Sequence, residues 1–245
     1  MRVKEWFGQL GPALLLCAVL IAASSASAYD AYDPNNCNGV DWDNKRALVV
    51  SQVIARPRIN FIKSPYDDDF KAGKCPADTE TCRKKSYLVP GDLVLTGKTQ
   101  GAFTCVAYQS PLAGKQIWAS GWLPSSALMP VAPMPSPKLS DWIGTWVHPG
   151  GEITISRGDG GKLSIEGEMI VPTAHDSHTG ELQANATPEK DTIAFVDDGS
   201  IAFEKMEEGG CRVRIQRIGQ WLLVEDNSDC GGAAVTFTGL YRRKK

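Results

Sequence analysis

Short runs of alternating apolar and polar residues, cut by glycine and proline, restrict this chain more than any other feature. "EITISRGDGGKLSIEGEMIV", residues 152–171, alternates on both sides of a Gly-Asp-Gly-Gly turn and predicts a β-hairpin. "TIAFVDDGSIAF", residues 192–203, repeats the arrangement around a turn at 197–200. "CRVRIQRIGQWLLVEDN", residues 211–227, turns at Gly219, and "AAVTFTGLYRR", residues 233–243, reads as a last strand. Seven or eight strands joined mainly by hairpins imply an antiparallel barrel or sandwich. Upstream, strands are expected at 48–55, 59–63, 86–89, 92–97, 102–108 and 117–123, and none of these runs sustains a helical period. The expected fold class is all-β, with two small antiparallel barrel-like domains.

The boundary falls at "PVAPMPSPK", residues 130–138, where four prolines in nine residues predict a stiff, extended linker. Its Pro130 to Pro133 spacing matches P-x-x-P, but a plain spacer is the simpler reading. The expected order is a signal peptide over 1–28, a β-domain over 29–129, the linker over 130–138 and a second β-domain over 139–245. The signal reading rests on Arg2 and Lys4, the apolar run from Pro12 to Ala23 and the small residues Ala26-Ser27-Ala28. Cleavage is expected between Ala28 and Tyr29. No other segment is apolar enough to cross a bilayer, so no membrane span is expected in the mature chain.

Of seven cysteines, Cys17 leaves with the signal. Cys37, Cys75, Cys82 and Cys105 lie before the linker, and Cys211 and Cys230 after it. An even number on each side fits disulfide-bonded domains in an oxidising compartment, periplasmic or secreted. Four cysteines allow three pairings. In one of them Cys75 and Cys82 pin the polar loop between them, and Cys37 ties the N-terminal segment to Cys105. A Cys211–Cys230 bridge would tie neighbouring strands. No C-x-x-C pair favours zinc.

"VIARPRINFIKSP", "YLVPGDLVLTG" and "GWLPSSAL" resemble a bacterial SH3-like domain across roughly residues 48–128. The resemblance implies a small barrel closed by the strand ending Gly121-Trp122-Leu123-Pro124. The acidic-aromatic opening of polyproline-binding SH3 domains is missing, so P-x-x-P recognition is not carried over. The polar insertion over 63–83, with its two cysteines, also departs from the compact pattern of the family. In the second half, Gly144-Thr145-Trp146 is similar to the Gly-x-Trp opening of lipocalin-like and avidin-like barrels. The ending "VEDNSDCGGAAVTFTGLYRR" resembles the small exported domain that accompanies lysozyme-inhibitor-like modules in bacterial envelope proteins.

Catalytic chemistry is not encoded in any pattern found here. There is no G-x-S-x-G elbow and no nucleotide or phosphate motif, and the cysteines are better used in bridges. Glu166 and Glu168 share a strand face with Ser164 and should point outward. Asp67-Asp68-Asp69 lacks the spaced ligands of a calcium loop. No metal site is expected. His175 and His178 are the nearest candidates, but their polar surroundings read as a loop, which places ligands poorly. A net charge of −2 gives no support for a nucleic-acid partner. The chain reads as a non-enzyme with no cofactor.

Aromatic surface remains. Trp118 and Trp122 lie an even number apart on one strand and share a face, unless a bulge at Ser120-Gly121 frees one of them. Trp122 is expected in the core, while Trp118, Tyr66, Tyr87 and Tyr108 are the candidate ligand residues. The expected function is an exported, non-catalytic binding protein that recognises cell-wall glycopeptide or an envelope protein. Two alternatives stand beside it: a carrier holding a small apolar ligand in the second barrel, and an inhibitor of a cell-wall hydrolase. The carrier requires that Ile155, Leu163, Ile165, Phe195 and Phe237 leave the barrel centre open.

Overall fold

The computed structural model describes residues 30, 33–40, 48–110, 117–196 and 210–245, with backbone alone at 69 and 70. The expected signal segment and the turn at 197–200 with its following strand lie outside these residues. The fold is all-β, with two antiparallel sheets.

The first sheet is built from β1 (Val49–Val53), β2 (Ile59–Ile62), β3 (Arg83–Leu88), β4 (Leu93–Gln100), β5 (Phe103–Gln109), β6 (Trp118–Pro124) and β7 (Leu128–Pro130). Their order is β3-β2-β6-β5-β4-β1-β7. Alternation buries both faces of its central strands. Phe61, Val106 and Leu123 join Val53, Leu88 and Val94 in one apolar cluster. Their immediate neighbours Ile62, Cys105 and Trp122 point the other way, into a cluster with Cys37, Ala72, Cys75 and Cys82. That second cluster holds two disulfides, Cys37–Cys105 and Cys75–Cys82.

The polar insertion is therefore the cover of the sheet's second face. It contains the single-turn helix α1 (Asp67–Phe70) and a short 3-10 turn over Glu80–Cys82. It then enters β3 at Arg83, three residues before the strand expected from sequence. The early start follows from pairing, because Arg83 sits opposite Ile62 on β2. Trp122 is fully buried beneath this cover, and its Nε1 donates a 2.8 Å hydrogen bond to the Asn35 carbonyl.

After the one-turn helix α2 (Leu139–Trp142), eight strands follow among the described residues: β8 (Gly144–His148), β9 (Gly151–Arg157), β10 (Leu163–Pro172), β11 (Ser177–Ala186), β12 (Thr192–Val196), β13 (Arg212–Ile218), β14 (Trp221–Asp226) and β15 (Gly239–Arg243). The order β11-β10-β9-β8-β15-β14-β13-β12 curls into a nearly closed barrel. Ile155, Leu163, Ile165, Phe195 and Phe237 are all buried, in one cluster with Trp142, Trp146 and Tyr241. Glu166 and Glu168 are exposed, as alternation requires. Cys211 is bonded to Cys230.

Two strand boundaries differ from the sequence reading. The last strand begins at Gly239 rather than 233, because residues 236–238 turn their polar groups onto Asp226. His178, expected in a loop, lies on β11, while His175 stays in the preceding turn.

The described residues from 33 onward form one compact unit. Leu48, Val50 and Leu95 of the first half pack with Ile218 and Leu223 of the second in a shared buried cluster. The proline-rich segment runs along this contact. Val131 N–H donates to the Val50 carbonyl and Met134 N–H to the Arg217 carbonyl, each at 2.8 Å.

Candidate functional site

Strands β5 and β6 pair without interruption from Phe103 opposite Pro124 to Gln109 opposite Trp118. No bulge breaks this pairing, so Trp122, Ser120 and Trp118 share one face, as do Cys105, Ala107 and Gln109 beside them. Along that face the environment changes in three steps. At Trp122 and Cys105 the disulfide-pinned segment covers it. At Gln109 and Trp118 it meets the second sheet. Between them lies an open cleft of about 360 Å³, floored by Ala107, Leu95 and Ser120 and walled by Asp226, Thr236 and Thr238.

Trp118 borders this cleft with 51% of its surface exposed. Its position is set from the second sheet. The His148 ring makes a T-shaped contact with it, with centroids 6.0 Å apart, and stacks at 4.7 Å on the ring of Tyr241. His148 Nε2 donates to the side-chain oxygen of Gln109, the residue paired with Trp118. The imidazole is 6% exposed. Burial pushes its pKa down to about 4, with the Pro149 backbone opposing the shift. At neutral pH the ring is uncharged, and its one proton is used on Gln109.

The opposite wall is a carboxylate cage. Asp226 is fully buried at the end of β14. Its Oδ1 accepts from Thr236 Oγ1 at 2.5 Å and Thr238 Oγ1 at 2.7 Å, and its Oδ2 accepts from the Phe237 N–H at 3.0 Å. Thr236 Oγ1 also accepts from Thr238 N–H, and Thr238 Oγ1 from Asp226 N–H, both at 3.0 Å. Each threonine proton is thus committed to the carboxylate. Each hydroxyl oxygen keeps one lone pair for the cleft. This charge also pushes the buried Tyr241 phenol up, adding to the larger effect of burial.

Of the other aromatic candidates, Tyr108 borders the contact between the sheets near Trp118. Its pKa is raised by partial burial and by Asp92. Tyr87 is half exposed on the edge strand β3, beneath the Arg58 guanidinium at 4.7 Å. Tyr66 hydrogen-bonds Asp33 at 3.1 Å. Neither Tyr66 nor Tyr87 lines the cleft.

Among the described residues no three His, Cys, Asp or Glu side chains converge as metal ligands. His178 Nδ1 is taken up by the Ala233 carbonyl at 2.5 Å. Asp67 and Asp68 are engaged by Lys84 at 3.0 Å and Lys63 at 2.6 Å. No helix among the described residues is long and apolar enough to cross a membrane.

Sequence reasoning missed the His148–Gln109 contact and the Asp226 cage. Period-2 spacing from Trp146 to His148 and from Thr236 to Thr238 was the available signal. Comparison with protein-family models, curated proteins and solved structures finds no match to this chain.

Proposed function

We propose that this chain is an exported, non-catalytic binding protein of the bacterial envelope that recognises cell-wall glycopeptide through the cleft between its two sheets. The observation that carries this reading is Trp118, a large flat side chain left half exposed beside a cleft while the buried His148 ring meets it in a T-shaped contact. Aromatic residues fixed before binding lose little entropy on contact and commonly act as anchors. Three disulfides fit an oxidising compartment, which agrees with periplasmic or secreted placement. The likeness of residues 48–128 to bacterial SH3-like domains points the same way.

The carrier alternative is weakened by the barrel interior, where the inward positions pack on one another and on two buried tryptophans. The test is co-sedimentation of mature protein with purified cell-wall sacculi. Wild type should sediment with them, and Trp118→Ala should weaken the association at least about tenfold. Failure of wild type to sediment, with capture of an envelope hydrolase instead, would move the function to the inhibitor reading.

A further inference from the structure

We infer that the cleft between the two sheets takes a neutral saccharide ring, stacked on Trp118 with its hydroxyl donors turned towards Thr236 and Thr238; this rests on the binding reading above.

Three observations define the ligand's chemistry. The first is shape and polarity. A cleft of about 360 Å³ lies within the ~300–1,000 Å³ that small-molecule sites span. It joins an aromatic side chain to four lining hydroxyls, those of Ser120 and Ser228 besides the threonines. A pyranose has the matching division, with axial C–H bonds towards an aromatic face and hydroxyls around its rim.

The second is the direction of the hydrogen bonds. Thr236 and Thr238 can only accept, because both protons already go to Asp226. A ligand must therefore bring O–H or N–H donors to that wall. Sugar hydroxyls and acetamido groups do so, and their oxygens can accept from the rotatable hydroxyls of Ser120 and Ser228.

The third is charge. Among the described residues no lysine or arginine lines the cleft, and the one ionisable group there is the carboxylate of Asp226. An anionic ligand would meet like charge there with no counter-charge among the described lining residues. A cationic ligand would find that carboxylate fully buried and already holding three donors. Neutral ligands fit best.

Calorimetric titration of the mature chain tests the inference. The probes are chitotriose and cellotriose, both neutral, with the fully deacetylated cationic form of chitotriose and anionic trigalacturonate. Sacculus co-sedimentation runs in parallel. A neutral trisaccharide should bind at least about tenfold more tightly than either charged one, and Trp118→Ala should lose at least about tenfold. Ser120→Ala, a smaller change on the floor of the cleft, should weaken the same ligand several-fold. Equal or tighter binding of a charged trimer, or unchanged affinity in Trp118→Ala, would overturn the inference. If sacculi sediment the protein while no neutral trimer binds, the saccharide assignment fails and the broader binding reading stands. If neither binds, both fall.

Discussion

His148 of the second sheet donates its Nε2 proton to the side-chain oxygen of Gln109 in the first. Because Gln109 is the strand partner of Trp118, this bond joins the aromatic platform, the contact between the sheets and a titratable group. A single buried imidazole therefore bridges the two sheets beside the cleft.

Burial of that imidazole sets a pH dependence. The folded-state pKa is depressed to about 4, against an ordinary value of 6.5. Below 6.5 the unfolded chain takes up a proton that the folded chain refuses. Stability therefore falls as pH drops from 6.5 towards 4 and changes no further from this group below that. A shift of this size corresponds to about 3 kcal/mol across the window. Urea unfolding at pH 7 and pH 4 should show that loss in wild type, and a substantially smaller one in His148→Gln.

The two tryptophans of β6 should behave oppositely. Trp122→Ala removes a fully buried ring and its hydrogen bond to Asn35, and should cost about 3–5 kcal/mol in urea unfolding. Trp118→Ala removes a half-exposed ring and should stay within roughly 1 kcal/mol of wild type. Equal losses would mean that Trp118 is a core residue rather than a ligand platform.

Asp226→Asn places an amide where three donors converge. At least one N–H or O–H donor is left facing an NH₂ group, at a cost of about 1–3 kcal/mol. The midpoint of urea unfolding should drop accordingly.

Loop length separates the first two disulfides. Cys37–Cys105 spans 68 residues and Cys75–Cys82 spans 7. On chain-entropy grounds, replacing the first pair with alanines should cost about 2 kcal/mol more than replacing the second. Both pairs sit in the same buried cluster, so lost packing is comparable. Denaturant melts of the two double variants under non-reducing conditions provide the comparison.

The hairpin over 152–171 was legible because its apolar positions are large and alternate strictly, as Ile153, Ile155, Leu163 and Ile165 do. Strand β11 was not, although it alternates as well. Its inward positions are Gly180, Leu182, Ala184 and Ala186, and small residues carry little hydrophobic signal. The cover over Trp122 was hidden for a different reason. Its polar composition describes the outer surface, while the buried contribution comes from cysteines and Ala72. The cleft required two distant segments to meet, β6 and residues 226–238. Local periodicity contains no information about that meeting. Trp118 could be nominated from sequence, but the His148 ring beside it and the Asp226 cage that lines the same cleft could not.

Oxidative footprinting of the protein, with and without purified sacculi, tests the central claim most directly. Trp118 and Tyr87 are about equally exposed in the free chain, at 51% and 50%, and only Trp118 borders the cleft. Sacculi should protect Trp118 several-fold and leave Tyr87 unchanged. Protection of Tyr87 with Trp118 still open to oxidation would contradict the account.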